Sequence, residues 1–385
     1  MRNVYLDSNS AMPVRPEVIE AMMEYFQDNF GNPSSIHQFG SVPKRAQNRA
    51  REEVASLINA DQEEIIFTSG ATESINMSLR GTLPHMKEGR KEIVYSAVDH
   101  QSVTNTARAL SNTGYEVSVL PVDEDGRILI GKAEEIISGN TAVVSIPHAS
   151  FEVGTIQPVT DLVKLAHNAG SLVHIDLTPS AFQLPFDVGK IPADLVSLSS
   201  NSLLGPKGAG ALYVRKGTRI SPLIRGGGHE RGLRSGSANI SGEVGMGVAA
   251  RIASERMSVE SAKMIGLRDR LINGLLKISD SYVNGHPTER LPNNSNVGFD
   301  YIEGESILLM LDMSGIAASS GSACTSSTLE PSPTLMAMGL KHEKAHGSIQ
   351  FVLNPYNEVE DIDHVITVMP EIVGSLREMS PLFNK

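Results

Sequence analysis

The sequence predicts an α/β protein: a mostly parallel seven-stranded sheet with helices on both faces, followed by a smaller α+β domain. Two observations carry this. Short β-branched runs recur along the first half of the chain, and between several of them lie amphipathic stretches whose apolar residues repeat at three and four, the strand-helix-strand pattern. A glycine-rich stretch then closes that series, and long helical patterns with a second set of strands follow it.

In order, the candidate strands are residues 64–68, 92–96, 116–120, 142–146, 172–175, 195–199 and 210–214, with helical periodicity at 102–110 and 159–167 among the intervening stretches. The last two strands are joined through Gly205-Pro206-Lys207-Gly208, too short for a helical crossover, so they are expected to pair antiparallel. After residue 214 comes Arg225-Gly226-Gly227-Gly228-His229-Glu230-Arg231-Gly232, then helical pattern over 242–278. Strands are expected again near 296–299, 315–318 and 349–353, and helices at 306–311 and 361–378. No internal repeat or low-complexity tract interrupts the chain.

Composition narrows the function. The 385 residues carry 33 Lys+Arg against 44 Asp+Glu, a net charge of −11, which argues against a nucleic-acid groove as the main surface. At 40% hydrophobic the chain can bury a substantial core. No run approaches the roughly 18 apolar residues that a membrane helix needs, and the first residues lack a secretory apolar region. One cysteine rules out an internal disulfide and the usual structural zinc sites, leaving Cys324 as filler, nucleophile or a metal ligand shared with another chain. The expectation is a soluble, cytoplasmic protein in a reducing compartment.

Four features bear chemistry. Thr68-Ser69-Gly70-Ala71-Thr72-Glu73-Ser74 follows a strand and opens a helix, a turn suited to phosphate, with Thr72 as an ordinary helix cap the alternative. Asp176 ends a strand where α/β proteins place their sites, although aspartate also caps helices. His100 follows another strand. Cys324 lies in Ser319-Ser320-Gly321-Ser322-Ala323-Cys324-Thr325-Ser326-Ser327, too polar for core, and reads as an accessible, functional thiol. His342-Glu343-Lys344-Ala345-His346 matches the H-E-x-x-H zinc pattern, but Gly339 before it, Gly347 after it and the interleaved lysines argue against the long helix that such a site needs.

These pieces stand in the order found in cysteine desulfurases of the IscS/NifS type, within the fold-type I superfamily of pyridoxal phosphate (PLP) enzymes. The resemblance runs nearly end to end through Tyr5-Leu6-Asp7, Gly31-Asn32-Pro33-Ser34-Ser35, the turn at 68–74, Asp99-His100, Gly205-Pro206-Lys207-Gly208, the stretch 226–236, Glu303-Gly304-Glu305-Ser306 and 319–324. It implies a large PLP-type domain over 15–260 and a small α+β domain from 1–14 and 261–385 that carries the cysteine loop. It also implies that Ala71, Thr72, Ser199 and, from the second subunit of a homodimer, Ser237 hold the PLP phosphate, with Ser200 and Asn201 also in the cofactor-binding set. His100 would stack on the ring and Asp176 would pair with its pyridinium nitrogen.

The resemblance breaks at the catalytic half. Where the family has Ser-Gly-His-Lys, the chain reads Ser199-Ser200-Asn201-Ser202, so the lysine that carries PLP covalently and acts as base is Ser202. An asparagine and a glutamine that would face the PLP phenolic oxygen fall at Phe151 and within Asp176-Leu177-Thr178-Pro179, and the arginine that would clamp the substrate carboxylate is Gln350. PLP is thus expected, if bound, without a covalent lysine. The chain also resembles archaeal family members that lack the lysine and dock an IscU-type scaffold. There the loop cysteine completes a shared 2Fe-2S iron-sulfur cluster in a heterotetramer, a role suited to a soft thiolate. Cys324 is therefore expected as a metal ligand, with an active desulfurase carrying sulfur as a Cys324 persulfide the alternative.

Overall fold

The computed structural model describes residues 2–87, 89–321 and 331–383. Cys324 lies outside the described residues. A short strand β1 (Val4–Tyr5) opens the chain, and seven more build the main sheet: β2 (Ile65–Thr68), β3 (Glu92–Ser96), β4 (Glu116–Leu120), β5 (Thr141–Pro147), β6 (Leu172–Asp176), β7 (Leu195–Ser199) and β8 (Gly210–Val214). Their order is β2-β8-β7-β6-β5-β3-β4. The pairings from β4 through β7 are parallel. As expected from the short Gly205-Pro206-Lys207-Gly208 link, β7 and β8 pair antiparallel, and β8 also pairs antiparallel with β2.

The interior strand β5 is buried at every position, the continuous burial of a strand covered on both faces. The first strand of the sheet starts at Ile65, one residue later than its sequence pattern indicates, for a local reason. Asp61 caps a 3-10 turn over Gln62–Glu64, accepting from the Glu63 amide at 3.0 Å while Glu64 accepts from the Asp61 amide at 3.1 Å. That turn claims Glu64 before the strand can.

Beyond the main sheet, β9 (Ser281–Asn284), β10 (Asn294–Phe299) and β12 (Ser348–Val352) form an antiparallel sheet in the order β12-β10-β9. The short β11 (Ile316–Ala317) pairs with β1, and Asp7 bridges Val352, so the N-terminal residues pack with C-terminal ones. Helix Ile240–Leu275 joins two cores. Met246, Ala249 and Ala253 pack beneath the main sheet, whereas Leu267, Leu271 and Leu275 pack with Phe299, Phe351 and Val365. Among the described residues, no helix is long and apolar enough to cross a membrane.

Register decides where chemistry can gather. Thr68 pairs with Gly210, Gly210 with Ser199, and Asp176 lies opposite Ser197 and Pro147, so β2, β5, β6 and β7 all end on one edge. At that edge Gly210 packs on Gly70: a Cβ added to Gly210 would stand 2.5 Å from the Gly70 Cα. Gly210→Ala is therefore expected to destabilise the chain by about 1–3 kcal/mol, the usual cost of overpacking, read as a lower urea midpoint.

Candidate functional site

The phosphate turn is built by a glycine with backbone freedom. Gly70 has φ 151° and caps helix Ala71–Thr82 with no side chain, so the cap is Gly70 and not Thr72. The reason is the backbone: a Cβ on Gly70 would meet no atom within 4 Å, but L side chains rarely adopt its positive φ. Glu73, in the first turn, accepts from the Ser69 amide at 2.6 Å and from Arg234 Nε at 2.9 Å. The arginine offsets a carboxylate that would otherwise repel an anion. The amides of Ala71 and Thr72 have no partner among the described residues and point from the positive end of the helix.

At the end of β6, Asp176 is 1% exposed. Its Oδ1 accepts from the Thr178 amide at 2.9 Å and from Thr178 Oγ1 at 2.5 Å, while no described residue donates to Oδ2. Burial pushes its carboxyl up, and the Thr178 hydrogen bonds and the neighbouring His100 pull it back. Asp99, also buried, is held well above the ordinary carboxyl range by burial and by the charge of Asp176, although the Ser96 amide donates to it at 2.9 Å. Its Oδ1 has no partner among the described residues. His100 caps helix Gln101–Ser111, with Nδ1 accepting from the Ser102 amide at 3.1 Å, and its exposed ring stands 5.3 Å from that of Phe151.

The positions that depart from the family pattern are tied down within the chain. Ser202 donates to the Ser199 carbonyl at 2.9 Å inside a 3-10 turn over Asn201–Leu203. Ser200 Oγ is buried without a partner among the described residues. Asn201 Oδ1 accepts from the Met12 amide and Lys207 Nζ donates to the Met12 carbonyl, each at 3.2 Å, so one N-terminal residue is gripped from both sides. The buried Gln350 accepts from Asn9 Nδ2 at 3.2 Å, and the same Asn9 group donates to the Phe151 carbonyl at 2.5 Å. Ser237 is exposed, three residues after Arg234, which ties the glycine-rich stretch to Glu73.

Tested against PLP, the site divides. The unpartnered amides of Ala71 and Thr72 fit a phosphate, and the open Oδ2 of Asp176 fits a protonated ring nitrogen. When bound, PLP supplies an electron sink for bonds at an amino-acid Cα. The covalent half does not fit: a serine hydroxyl occupies the lysine position and is engaged with backbone, and Lys207 is exposed and turned to Met12. Helix His342–His346 spans five residues with Ala345 as its buried position, so the H-E-x-x-H pattern lacks the buried helix that zinc chemistry requires. Among the described residues, no group of three or more His, Cys, Asp or Glu is placed to hold a metal.

Sequence reasoning missed three contributors. Asp99 had one available signal, its place directly before His100 at a strand end. Nothing local marks Asn9, which reaches residues 142 and 341 positions away. Glu152 closes the His148-Ala149-Ser150-Phe151-Glu152 segment that matches the family's His-x-Asn-Asn-Glu, but the sequence gives it no role; it is buried with its carboxyl at about 7 because burial outweighs the Ser332 and Thr334 hydroxyls.

The family model described as aminotransferase class-V matches residues 4–365. The chain is 48% identical to cysteine desulfurase IscS 1 of Archaeoglobus fulgidus, covering 99% of this chain and 100% of that one, and 46% identical to cysteine desulfurase IscS of Methanosarcina thermophila, covering 99% and 95%. A solved NifS-like protein superposes with a TM-score of 0.92 at 35% identity, covering 97% of this chain and all of its own. The family implies PLP as its cofactor. On this evidence the chain belongs to the class V aminotransferase family, among the homologues of IscS-type cysteine desulfurases.

Proposed function

We propose that this protein is a homodimeric member of the desulfurase family that has lost ordinary desulfurase turnover, and that it acts in iron-sulfur cluster assembly by lending Cys324 to a cluster held by an IscU-type scaffold. The observation that carries the reading is the turn at Ser202. Its hydroxyl is spent on the Ser199 carbonyl, and a serine neither anchors PLP covalently nor removes a Cα proton. Loss of a general base costs a factor of about 10²–10⁴ on its own. The thiol is retained in the sequence beside this loss, and a soft thiolate suits a scaffold that offers three ligands and needs a fourth.

Within this reading, the chain's residues hold PLP without a covalent bond: Ala71, Thr72 and Ser199 hold the phosphate, with Ser237 of the second subunit, Ser200 and Asn201 complete the cofactor-binding set, and His100 and Asp176 orient the ring. Homodimer formation is supported by an exposed apolar face. Ile19, Met23 and Phe26 share one side of helix Pro16–Gln27, and Phe30, Ile36 and Phe39 continue it. With the scaffold the assembly is a heterotetramer in the cytoplasm.

Two experiments test this. Borohydride treatment after incubation with PLP is expected to leave wild-type protein unlabelled by mass and to label Ser202→Lys at residue 202. Labelling of wild type at Lys207 would instead support an active enzyme that passes sulfur on as a Cys324 persulfide. Anaerobic co-purification with the scaffold is expected to give iron and sulfide contents that fall to those of the scaffold alone when Cys324→Ala replaces wild type, and an unchanged cluster yield would overturn the ligand role.

A further inference from the structure

The glycine-rich stretch 225–236 forms a strap alongside the strand and turn that open the phosphate site. Arg231 donates to the Ile65 carbonyl at 2.8 Å, Glu230 accepts from the Phe67 amide at 2.8 Å, and Arg234 Nε donates to Glu73 at 2.9 Å. Ile65 and Phe67 belong to β2, an edge strand of the main sheet, so side chains of the strap stand where a further strand would pair. The strap is also closed on itself, since Ser235 Oγ donates to the Gly227 carbonyl at 2.6 Å.

Holding the strap there strains its backbone. Glu230 and Arg231 are consecutive residues at φ 46° and 56°, a left-handed conformation that side chains rarely adopt. The compensation is local: both Arg51 Nη groups donate to the Glu230 carboxylate, at 2.6 and 2.7 Å, and the same guanidinium lies over the Phe67 ring. Strain that surrounding contacts overdetermine points to a function for the segment that carries it. Four residues beyond Glu230, that segment presents Arg234 to the phosphate turn.

Glu73 supplies the reason. Its Oε2 accepts from the Ser69 amide at 2.6 Å and so braces the turn, yet it lies in the first turn of helix Ala71–Thr82, beside the amides of Ala71 and Thr72. Its side chain is only 8% exposed, and burial by itself would push its carboxyl up. The hydrogen bonds from Arg234 and Ser69 outweigh that burial and keep it below the ordinary range, hence ionised. A charged brace next to an anion site opposes the anion unless a cation cancels it.

We propose that Arg234 is a positioning residue for phosphate: the strap, fastened to β2 through Glu230, delivers a guanidinium that cancels the Glu73 charge and leaves the amides of Ala71 and Thr72 free to receive an anion. The proposal rests on the reading that this chain holds PLP without a covalent bond. It concerns the phosphate alone.

The probes are pyridoxine 5′-phosphate and pyridoxine, which cannot form an imine with any lysine and differ from each other only in the phosphate. In calorimetric titrations of the whole protein, Arg234→Ala is expected to bind pyridoxine 5′-phosphate about tenfold more weakly than wild type, the order of one uncompensated charge at a partly screened site. The loss is expected to shrink as salt is raised, and affinity for pyridoxine to stay unchanged. Removing the carboxylate as well, in the double variant Glu73→Gln with Arg234→Ala, is expected to restore binding, which a merely structural role for the arginine would not allow. Equal affinity of wild type and Arg234→Ala, an equal loss for both probes, or a double variant no better than Arg234→Ala would each overturn the proposal and leave noncovalent binding standing. Failure of wild type to bind pyridoxine 5′-phosphate would overturn the noncovalent reading and the proposal together. Should Arg234→Ala fail to fold, Arg234→Gln, which keeps a donor but no charge, decides the matter by the same criteria.

Discussion

A carboxylate buried without a cation organises this site. Taking a charge out of water is costly unless something compensates it, and Asp176 has only the two Thr178 hydrogen bonds on one oxygen and a nearby imidazole. Asp99 is pushed toward its neutral form chiefly by its own burial and further by that charge, since two carboxyls at one buried strand edge resist ionising together. The open Oδ2 of Asp176 and the unpartnered amides at Ala71 and Thr72 are thus complementary in sign. One end of the site seeks a cation and the other an anion, the two ends of a pyridinium phosphate.

Against that retained frame, the substitutions form a consistent set. Replacing a long lysine by Ser202 exchanges a reaching cation for a hydroxyl that closes on its own turn. Asn201 and Lys207 both grip Met12, so the segment that borders the lost catalytic position is bound to the N-terminal chain. Gln350, in place of a guanidinium fork, is engaged by Asn9. Ser202 and Gln350 stand where the family has a reacting lysine and a clamping arginine, and Phe151 and Pro179 replace contacts to the PLP phenolic oxygen, while the groups suited to the PLP phosphate and ring nitrogen and the thiol in the sequence remain. That contrast is the physical basis of the proposed reassignment of the chain to a different task.

Most of the fold was legible in the sequence because the strands of the main sheet are short, apolar and bounded by turns, and the brief link between β7 and β8 dictated their antiparallel pairing. Where the reading slipped, a competing contact explains it. Asp61 draws Glu64 into a capped turn, and Gly70, at positive φ, starts the helix that local residue preference starts at Thr72. Of the candidate site, Asp176, His100, Ala71 and Thr72 stood at strand ends and helix starts where pattern alone points. Asn9 with Gln350 and Glu152 with Ser332 did not, since a hydrogen bond between residues 341 or 180 positions apart leaves no local trace.

The central claim is that the sulfur of Cys324 is bonded to iron. It is tested most directly by resonance Raman spectra of the anaerobic complex with the scaffold, comparing wild type with Cys324→Ser. The account predicts that the iron-sulfur stretching bands attributable to terminal thiolate change when one sulfur ligand becomes oxygen. Identical spectra from the two complexes would contradict it.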